Sequence, residues 1–309
     1  MDKPAPIGVG LQYNPEILDW FPFESQPVDL FEVLLDAIMG PLDSPWIFRP
    51  GQERRTRALG DRTPLLAHSN YGCEFGFGPL EDSPAVRRHV ALAQAINSPW
   101  VADHCFYGDA SWLDIWSSPV QFSRPEIIRV ADRARRLQDL YGMPLAHENA
   151  AYYMPTPGGQ MREAEFMARM VERAGTWLHL DLHNVYTNSV NLTGYDARDY
   201  LDTIPLDRVL CIHLAGGSWY DGLYHDWHDS TVPEPVWEML DVVLARTLPS
   251  AVILEFQGRA HHPQTRELGG ADDEAMIRGD LIRAKTAWDA AAARHGLSVA
   301  GRAAARETV

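Results

Sequence analysis

The segment TWLHLDLHN (176–184) is followed by DARDYLDTI (196–204) and RVLCIHLAG (208–216), and these three segments form the clearest structural pattern in the chain. The first and third segments are short apolar runs, and the second is a charged segment with helical periodicity. Two parallel strands joined by a crossover helix have this pattern. The stretch therefore predicts one strand–helix–strand unit of a parallel sheet.

The same alternation recurs along the 309-residue chain. Eight apolar runs carry it: IGVGLQY (7–13), LFEVLL (30–35), PLLAHSN (64–70), WVADHCF (100–106), PLAHEN (144–149), TWLHLDLHN (176–184), RVLCIHLAG (208–216) and AVILEFQG (251–258). Eight is the number of strands that closes a (β/α)8 barrel. Because no Ser/Gly linker or charge block divides the chain, we predict an α/β fold with a single TIM-type barrel domain at 1–300 and a flexible tail at 301–309.

Composition narrows the choice of partners and compartment. The 27 Lys and Arg residues against 42 Asp and Glu residues give a formal net charge of -15, which repels a phosphate backbone. The three cysteines are widely spaced and odd in number, which indicates neither a disulfide framework nor a thiolate zinc site. No signal-peptide core begins the sequence, and no run approaches the roughly 18 apolar residues of a membrane span. We expect a cytoplasmic protein that binds neither nucleic acid nor membrane.

Polar residues recur near the carboxyl ends of seven of the eight runs, where barrel enzymes place their catalytic groups. One buried histidine is more often a hydrogen-bonded core residue than a metal ligand. Several converging carboxylates and imidazoles, however, are costly to desolvate, and bound metal ions are the simplest compensation. The residues are Glu32, His68, His104, His147, Glu148, Asn149, Asp181, His183, Asn184, His213 and Glu255.

The sixth run predicts how some of these side chains are oriented. Residues two apart in a strand point the same way, so Asp181 and His183 are expected to point together. Asn184 would turn inward only where the strand ends. Turn or helix-capping roles remain open for Asn149, Asn184 and Asn188.

After the seventh run, the segment GGSWYDGLYHDWHDSTVPEPVW (216–237) combines polar and aromatic residues. It is either an ordinary solvated loop or a further metal-binding loop at the barrel mouth, in which Asp226 and His228 supply ligands. Three aromatic residues of the loop would then shield the centre or bind substrate: Trp219, Tyr220 and Tyr224. The donor atoms are nitrogen and oxygen with no clear thiolate, which leaves iron, manganese or catalytic zinc as the metal.

The block HLDLHNVYTNSVNLTGYDARDYLDTIP (179–205), followed by VLCIHLAGGSW (209–219), resembles the signature of the multinuclear non-haem iron-dependent oxidases. That family includes the methanobactin-biosynthesis oxidase and relatives that modify ribosomal peptides. The similarity extends over nearly the whole predicted barrel, from GVGLQY and FEV through AHSNYG, DHCFYG and HENAAYY to ILEF.

The resemblance implies a TIM barrel that holds two or three iron ions in mixed Fe(II)/Fe(III) states and uses O2 as co-substrate. It also implies a precursor peptide as substrate, modified at a Cys, Asp or Asn residue and presented in some relatives by a partner protein. The metal-ligand pattern of the family falls on His68, His104, Glu148, Asp181, His213, Asp226, His228 and Glu255, and we expect Asn184 as a further ligand. Catalytic roles fall on Asp181, His183 and His213.

This sequence departs from the family pattern at His183, where Asn is common, and at Asp103, where Glu is common. After FEV, only Asp36 stands near the expected second acidic position. Two other functions stay open. One is a divalent-metal isomerase or phosphodiesterase of the xylose isomerase or endonuclease IV type, and the other is a metal-binding protein without catalysis. The spread of polar residues over many strands argues against a passive store.

Overall fold

The computed structural model of the chain describes residues 1–69, 76–105, 107, 120–155, 158–257 and 271–297. Its strands are β1 (Gly8–Gln12), β2 (Leu30–Leu34), β3 (Leu65–Ser69), β4 (Val101–His104), β5 (Leu145–Glu148), β6 (Trp177–Asp181), β7 (Val209–Leu214), β8 (Ser218–Tyr220), β9 (Leu223–His225) and β10 (Ala251–Leu254). Its helices are α1 (Pro15–Leu18), α2 (Leu35–Ile38), α3 (Gln52–Gly60), α4 (Pro84–Ala95), α5 (Arg124–Tyr141), α6 (Glu163–Ala174), α7 (Leu182–Asn191), α8 (Ala197–Thr203), α9 (Glu234–Arg246) and α10 (Ala271–Arg294).

The strands form a closed barrel in the order β1-β10-β7-β6-β5-β4-β3-β2, and all neighbouring pairs in it are parallel. Each of the eight apolar runs contributes one of these strands, so the predicted (β/α)8 fold is confirmed. The additional strands β8 and β9 form an antiparallel hairpin that follows β7. The predicted tail at 301–309 lies outside the described residues, and the single-domain boundary at 300 stays a prediction.

Helices surround the barrel, and their ends follow local sequence chemistry. Helix α4 begins at Ser83, whose hydroxyl accepts a hydrogen bond from the Val86 amide, and Pro84 occupies its first turn. Helix α5 ends at Gly142, which has the left-handed conformation that terminates many helices (φ +70°). Within the described residues, no helix is long and apolar enough to cross a membrane.

The barrel interior changes from apolar to polar along its axis. Side chains two positions apart on a strand point the same way. Along six strands, an apolar residue of one buried cluster stands two positions before a polar residue at or just after the strand end: Leu30 before Glu32, Leu66 before His68, Ala146 before Glu148, Trp177 before His179, Cys211 before His213 and Ile253 before Glu255. The amino-terminal half of the interior is therefore an apolar plug, and the carboxyl-terminal half collects ionisable groups.

Substitution of Gly10, on β1, can show how densely the apolar half of the barrel interior is packed. An alanine Cβ at position 10 would lie 2.7 Å from Ile253 Cδ1 and 2.8 Å from Leu30 Cγ. We expect Gly10→Ala to lower the free energy of unfolding by about 1–3 kcal/mol, because a filled core resists an added methyl group. Ile253→Val, which removes the contacting Cδ1 atom, should cost about 0.5–1.5 kcal/mol by itself. In urea unfolding the double variant should lose less than the sum of the single variants, and simple additivity would contradict the contact.

Candidate metal centre

The polar half of the barrel interior contains three overlapping groups of side chains that could each hold a metal ion. Within each group, the potential ligand atoms lie within 4.8 Å of one another. The groups are Glu32, His68, His179 and His213; His68, His104 and Glu148; and Glu148, Asp181, His213 and Glu255. Apart from His104, which is partly exposed, these side chains are buried. We call these residues together the central cluster.

Glu148, the last residue of β5, occupies the middle of the central cluster. Its Oε1 atom lies 2.9 Å from His213 Nδ1, and its Oε2 atom lies 2.9 Å from His68 Nε2 and 3.3 Å from His104 Nε2. Burial by itself would raise the pKa of Glu148, but the three histidines outweigh burial and hold that pKa well below its usual value. Glu148 therefore carries a negative charge that can bridge two cations.

Glu32 on β2 lies on the far side of the same two imidazole rings. Its Oε2 atom is 3.1 Å from His68 Nδ1 and 2.6 Å from His213 Nε2. Burial alone would lower the pKa values of His68 and His213, but the surrounding carboxylates raise both well above the usual value. A carboxylate behind an imidazole is the usual way to orient a metal-binding histidine. Glu32 thus fixes both rings with their other nitrogen atoms toward Glu148.

Asp181 ends strand β6 and caps helix α7. Its Oδ1 atom accepts a hydrogen bond of 2.7 Å from the Asn184 amide, whereas Oδ2 has no hydrogen-bond partner among the described residues. The Asn149 side chain accepts from the Asp181 amide at 2.9 Å and donates to the Asp181 carbonyl at 2.8 Å. Burial, with repulsion from Glu148 and Asp226, raises the pKa of Asp181 well above its usual value. A cation beside Oδ2 would relieve this penalty.

Two buried asparagines of helix α7, Asn184 and Asn188, hydrogen-bond to the segment that follows β5. Asn184 donates from Nδ2 to the Asn149 carbonyl at 3.0 Å, and its Oδ1 atom is buried without a partner in the described structure. Asn188 accepts from the Tyr152 amide at 2.6 Å and donates to the Ala150 carbonyl at 2.9 Å. Asn188 therefore holds the loop after β5 in place. Asn184 does the same and also has an Oδ1 atom that could bind a metal ion.

The prediction that Asp181 and His183 lie along one strand is wrong. Strand β6 ends at Asp181, and His183 lies in the first turn of α7 because the Asp181 side chain caps that helix. There its Nδ1 atom is 2.7 Å from Asp226 Oδ1 and its Nε2 atom is 3.4 Å from the Tyr224 hydroxyl. His183 contacts the loop that follows β7, outside the central cluster.

His179 is the residue that shares the inner face of β6 with Asp181, and the sequence interpretation missed it. It is fully buried, and neither ring nitrogen has a hydrogen-bond partner within the described part of the chain. Its ring centroid is 3.9 Å from that of His213, and its Nε2 atom is 3.9 Å from Glu32 Oε1. Burial and the neighbouring His213 lower its pKa, so the imidazole is neutral and able to bind a cation. The two-residue spacing from Asp181 was the available signal.

Three other positions considered from the sequence lie outside the central cluster. His147 is on the opposite face of β5 from Glu148, and its Nε2 atom lies 2.9 Å from the Thr176 hydroxyl. Burial lowers the pKa of His147 to about 3. The Asp36 carboxylate is 2.8 Å from His89 Nε2, and Asp103 accepts a hydrogen bond from the His104 amide. These contacts position the strand ends.

The loop after β7 brings a second polar group to the central cluster. His228 Nε2 lies 2.9 Å from Asp226 Oδ1 and 3.6 Å from Glu255 Oε2. Burial alone would lower the pKa of His228, but Asp226 and then Glu255 raise it to about 10. A side chain at Gly217 would place its Cβ 1.9 Å from the His225 carbonyl oxygen, so only glycine allows the hairpin this close approach. The side chains of Asp226 and His228 are thus partly buried, and His228 is paired with both Asp226 and Glu255. Their role as metal ligands stays a prediction.

The three aromatic residues of this loop differ in position. Tyr224 is buried, and its hydroxyl accepts a hydrogen bond of 3.0 Å from the Gly217 amide. Trp219 and Tyr220 are exposed, with 60% and 41% of their surfaces accessible. Tyr224 thus helps to cover the polar group of the loop, whereas Trp219 and Tyr220 form an aromatic surface at its outer edge.

The sequence of this chain is similar to a family of peptide-modifying enzymes and to several bacterial proteins. A family model described as "RiPP precursor modification enzyme MbnB/TglH/ChrH" matches residues 8–273. The chain belongs to this family. A UPF0276 protein of Streptomyces avermitilis is 33% identical over 295 residues, which cover 91% of this chain and 56% of the relative. A UPF0276 protein of Shewanella sediminis is 30% identical over 246 residues, covering 78% of this chain and 83% of the relative. The chain thus spans little more than half the length of the Streptomyces protein.

Solved structures with the same barrel include an epimerase and a protein with a xylose isomerase domain. An L-ribulose 3-epimerase superposes with a TM-score of 0.56 at 13% identity, covering 96% of this chain and 98% of the epimerase. A xylose isomerase domain containing protein from Salmonella typhimurium superposes with a TM-score of 0.61 at 12% identity, covering 91% and 98%. At such identities the likeness concerns the fold alone, and the RiPP-modifying family is the closer indication of function.

Metal binding to the central cluster should be visible as increased stability. Ions that bind only the folded chain raise its free energy of unfolding by about 2.7 kcal/mol at a hundredfold excess over the dissociation constant. We expect Fe(II), Mn(II) or Zn(II), added anaerobically to metal-free protein, to raise the thermal midpoint. His213→Ala should lose most of that increase, and His295→Ala, at an exposed position directly after α10, should retain it. An equal increase in both variants would contradict this location.

Proposed function

We propose that this protein is an iron-dependent oxidase that uses O2 to modify a Cys, Asp or Asn residue of a ribosomally made precursor peptide. The observation that carries the proposal is the central cluster itself, in a chain of the RiPP-modifying family. Its donors are imidazole nitrogens and carboxylate oxygens, a set that suits non-haem iron. The buried ligand atoms without partners, on His179, Asp181 and Asn184, fit the presence of cations.

The ligands divide naturally into separate metal positions. His68, His104 and Glu148 would hold one ion, and Asp181, His213 and Glu255 would hold a second that shares Glu148. Asp226 and His228 would hold a third ion on the loop side, beside Glu255. Asn184 would add its free Oδ1 atom to the Asp181 side. These donors are too many for one six-coordinate ion, so we expect two or three iron ions in mixed Fe(II)/Fe(III) states.

When bound, the iron would supply the redox chemistry, with the peptide residue as electron donor and O2 as electron acceptor. The chain itself would hold open coordination positions and exclude water. Asn149 holds Asp181, Glu32 holds His68 and His213, and the buried Tyr224 covers the loop side. We assign His183 a positioning role through Asp226, and Asp181 and His213 the roles closest to the reacting atoms.

The substrate would enter beside the β8–β9 hairpin. Trp219 and Tyr220 are the exposed aromatic residues at this edge, and aromatic side chains are frequent in peptide-binding surfaces. A partner protein that presents the precursor peptide would contact the same edge. The net charge of -15 favours a peptide with basic residues over a nucleic acid.

Iron content and oxygen uptake test the oxidase proposal together. We expect purified protein to contain two or three iron ions per chain and to consume O2 when its precursor peptide is present. His213→Ala and Asp181→Ala should abolish this uptake while circular dichroism shows a folded barrel, because the apolar plug is untouched. Zinc or manganese without oxygen uptake would instead favour the isomerase or phosphodiesterase alternative. Iron without any turnover would favour a metal-binding protein.

The loop site makes a separate prediction. Replacing both Asp226 and His228 by Ala should lower the iron content by about one ion and spare the ions held by the strands, because separate ligand sets lose metal separately. Metal analysis of protein loaded without peptide is the measurement. The matched control replaces Asp221 and His225, the same residue types from the same loop, and should leave the iron content unchanged. An unchanged count in the Asp226 and His228 double variant would remove the loop from the metal centre.

A further inference from the structure

A cavity of about 340 Å³ lies beside the barrel mouth, between the start of α5, the start of α6 and the α7–α8 connection. Its inner wall includes Tyr152, which is four residues beyond Glu148. The Tyr152 hydroxyl lies 3.5 Å from the Cys105 carbonyl, directly after His104, and donates in that direction. The cavity therefore adjoins the strand ends that carry the central cluster, yet none of its described lining residues belongs to that cluster.

Glu163, the first residue of α6, is a buried carboxyl group in this cavity. Only 4% of its surface is accessible. Its Oε2 atom accepts a hydrogen bond of 2.8 Å from the Tyr195 hydroxyl, and the Tyr152 hydroxyl also stabilises the ionised carboxyl group. The buried Oε1 atom itself accepts no hydrogen bond from the described residues. Burial raises the pKa of Glu163 to about 8, although tyrosine hydroxyls oppose the shift. The helix start alone does not explain a carboxyl oxygen buried without a partner.

The walls of the cavity are aromatic and its rim is acidic. Tyr195 and Tyr200 stack with ring centroids 5.9 Å apart, and Phe122 meets Tyr152 edge-on at 6.0 Å. The rim carries two carboxylates and one described cation, which is ion-paired with one of them: Asp196, Asp199 and Arg162. Aromatic faces around a carboxyl group are the surroundings in which proteins bind organic cations.

We propose that this cavity binds the cationic end of an arginine or lysine side chain of the peptide substrate, with Glu163 as its counter-ion. This inference rests on the proposed function only in identifying the ligand as a peptide. The guanidinium or ammonium group would occupy the unpartnered side of Glu163, and the aromatic rings would contact the aliphatic part of the side chain. A basic residue of the precursor would thereby anchor it beside the centre.

Cation binding should be coupled to loss of a proton from Glu163. The titratable groups that face it are Tyr152, Tyr195 and Tyr200, whose pKa values burial raises well above the usual value, so they remain neutral near pH 8. The charged groups around the cavity are Arg162, Asp196 and Asp199. Because its pKa is about 8, Glu163 is mostly protonated at pH 7 and has to lose this proton when a cation binds. At pH 9 it is already largely ionised. Affinity for a cation should therefore rise about tenfold over this interval.

The test uses the full metal-loaded chain and three capped tripeptides, Gly-Arg-Gly, Gly-Lys-Gly and Gly-citrulline-Gly, measured by calorimetry at pH 7 and pH 9. We expect the arginine or lysine peptide to bind, with proton release at pH 7 and about tenfold tighter binding at pH 9. The neutral citrulline peptide should bind roughly tenfold more weakly or not at all, because a hydrogen bond to a charged group is lost. Equal binding of charged and neutral peptides, or no binding of either cationic peptide, would overturn the proposal.

Glu163→Gln keeps the shape of the side chain and removes its charge. It should weaken binding of the cationic peptide at least about tenfold and abolish the proton release, with iron content and thermal midpoint unchanged. Glu172→Gln makes the same change at an exposed position on the same helix and should have no effect. Unaltered binding in Glu163→Gln would refute the assignment. Tripeptide binding does not depend on oxygen chemistry. If the protein binds the cationic tripeptide but never consumes O2, the oxidase proposal is wrong and the cation-binding proposal stands.

Discussion

The contact of Glu148 with His68 and His213 is the interaction on which the polar half of the barrel depends. These groups lie in an interior that excludes water, where an unpaired charge costs several kcal/mol. Each imidazole ring is held between two carboxylates, Glu148 on one side and Glu32 on the other. Removing one member would leave another charge without compensation, so the cluster is coupled as a unit.

Protons and metal ions are alternative means of compensating the same carboxylates. In the metal-free chain, protonated His68 and His213 neutralise Glu32 and Glu148, which explains why their pKa values are displaced in opposite directions. Asp181 Oδ2 lies 3.9 Å from His213 Nδ1, yet neither this oxygen nor either ring nitrogen of His179 has a hydrogen-bond partner among the described residues. Protons alone thus compensate the charges of part of the central cluster. A multinuclear metal centre would also give partners to the remaining buried polar atoms.

The elements around the mouth have separate tasks. The β8–β9 hairpin brings Asp226 and His228 to the edge of the cluster, and Gly217 permits its close approach. Tyr152 belongs both to the loop after β5 and to the wall of the Glu163 cavity. Under the proposed function the barrel would hold the metal ligands, and the connections after its strands would supply the surfaces for a larger substrate, as is usual for barrel enzymes.

The apolar runs were enough to predict the eight strands, their closure into a barrel and the gathering of polar residues at one end of it. Period-two apolar runs reflect burial of alternating side chains, and polar residues at their ends meet in any parallel barrel. Such local patterns therefore predicted His68, Glu148, Asp181 and His213 near one mouth. The two-residue periodicity of a strand wrongly placed His183 in β6. The Asp181 side chain caps helix α7, which begins at Leu182, although the apolar run continues beyond that point.

Only the tertiary structure decided which of these residues touch. Glu32 and His213 are far apart in sequence but in contact, and so are His183 and Asp226. The partners follow from strand register, including the shift after Leu178 that sets His179 opposite Cys211. Register and loop approach depend on packing between distant segments, which no local periodicity encodes. For the same reason the Glu163 cavity, formed by helices that are separated in sequence, had no signature in the chain.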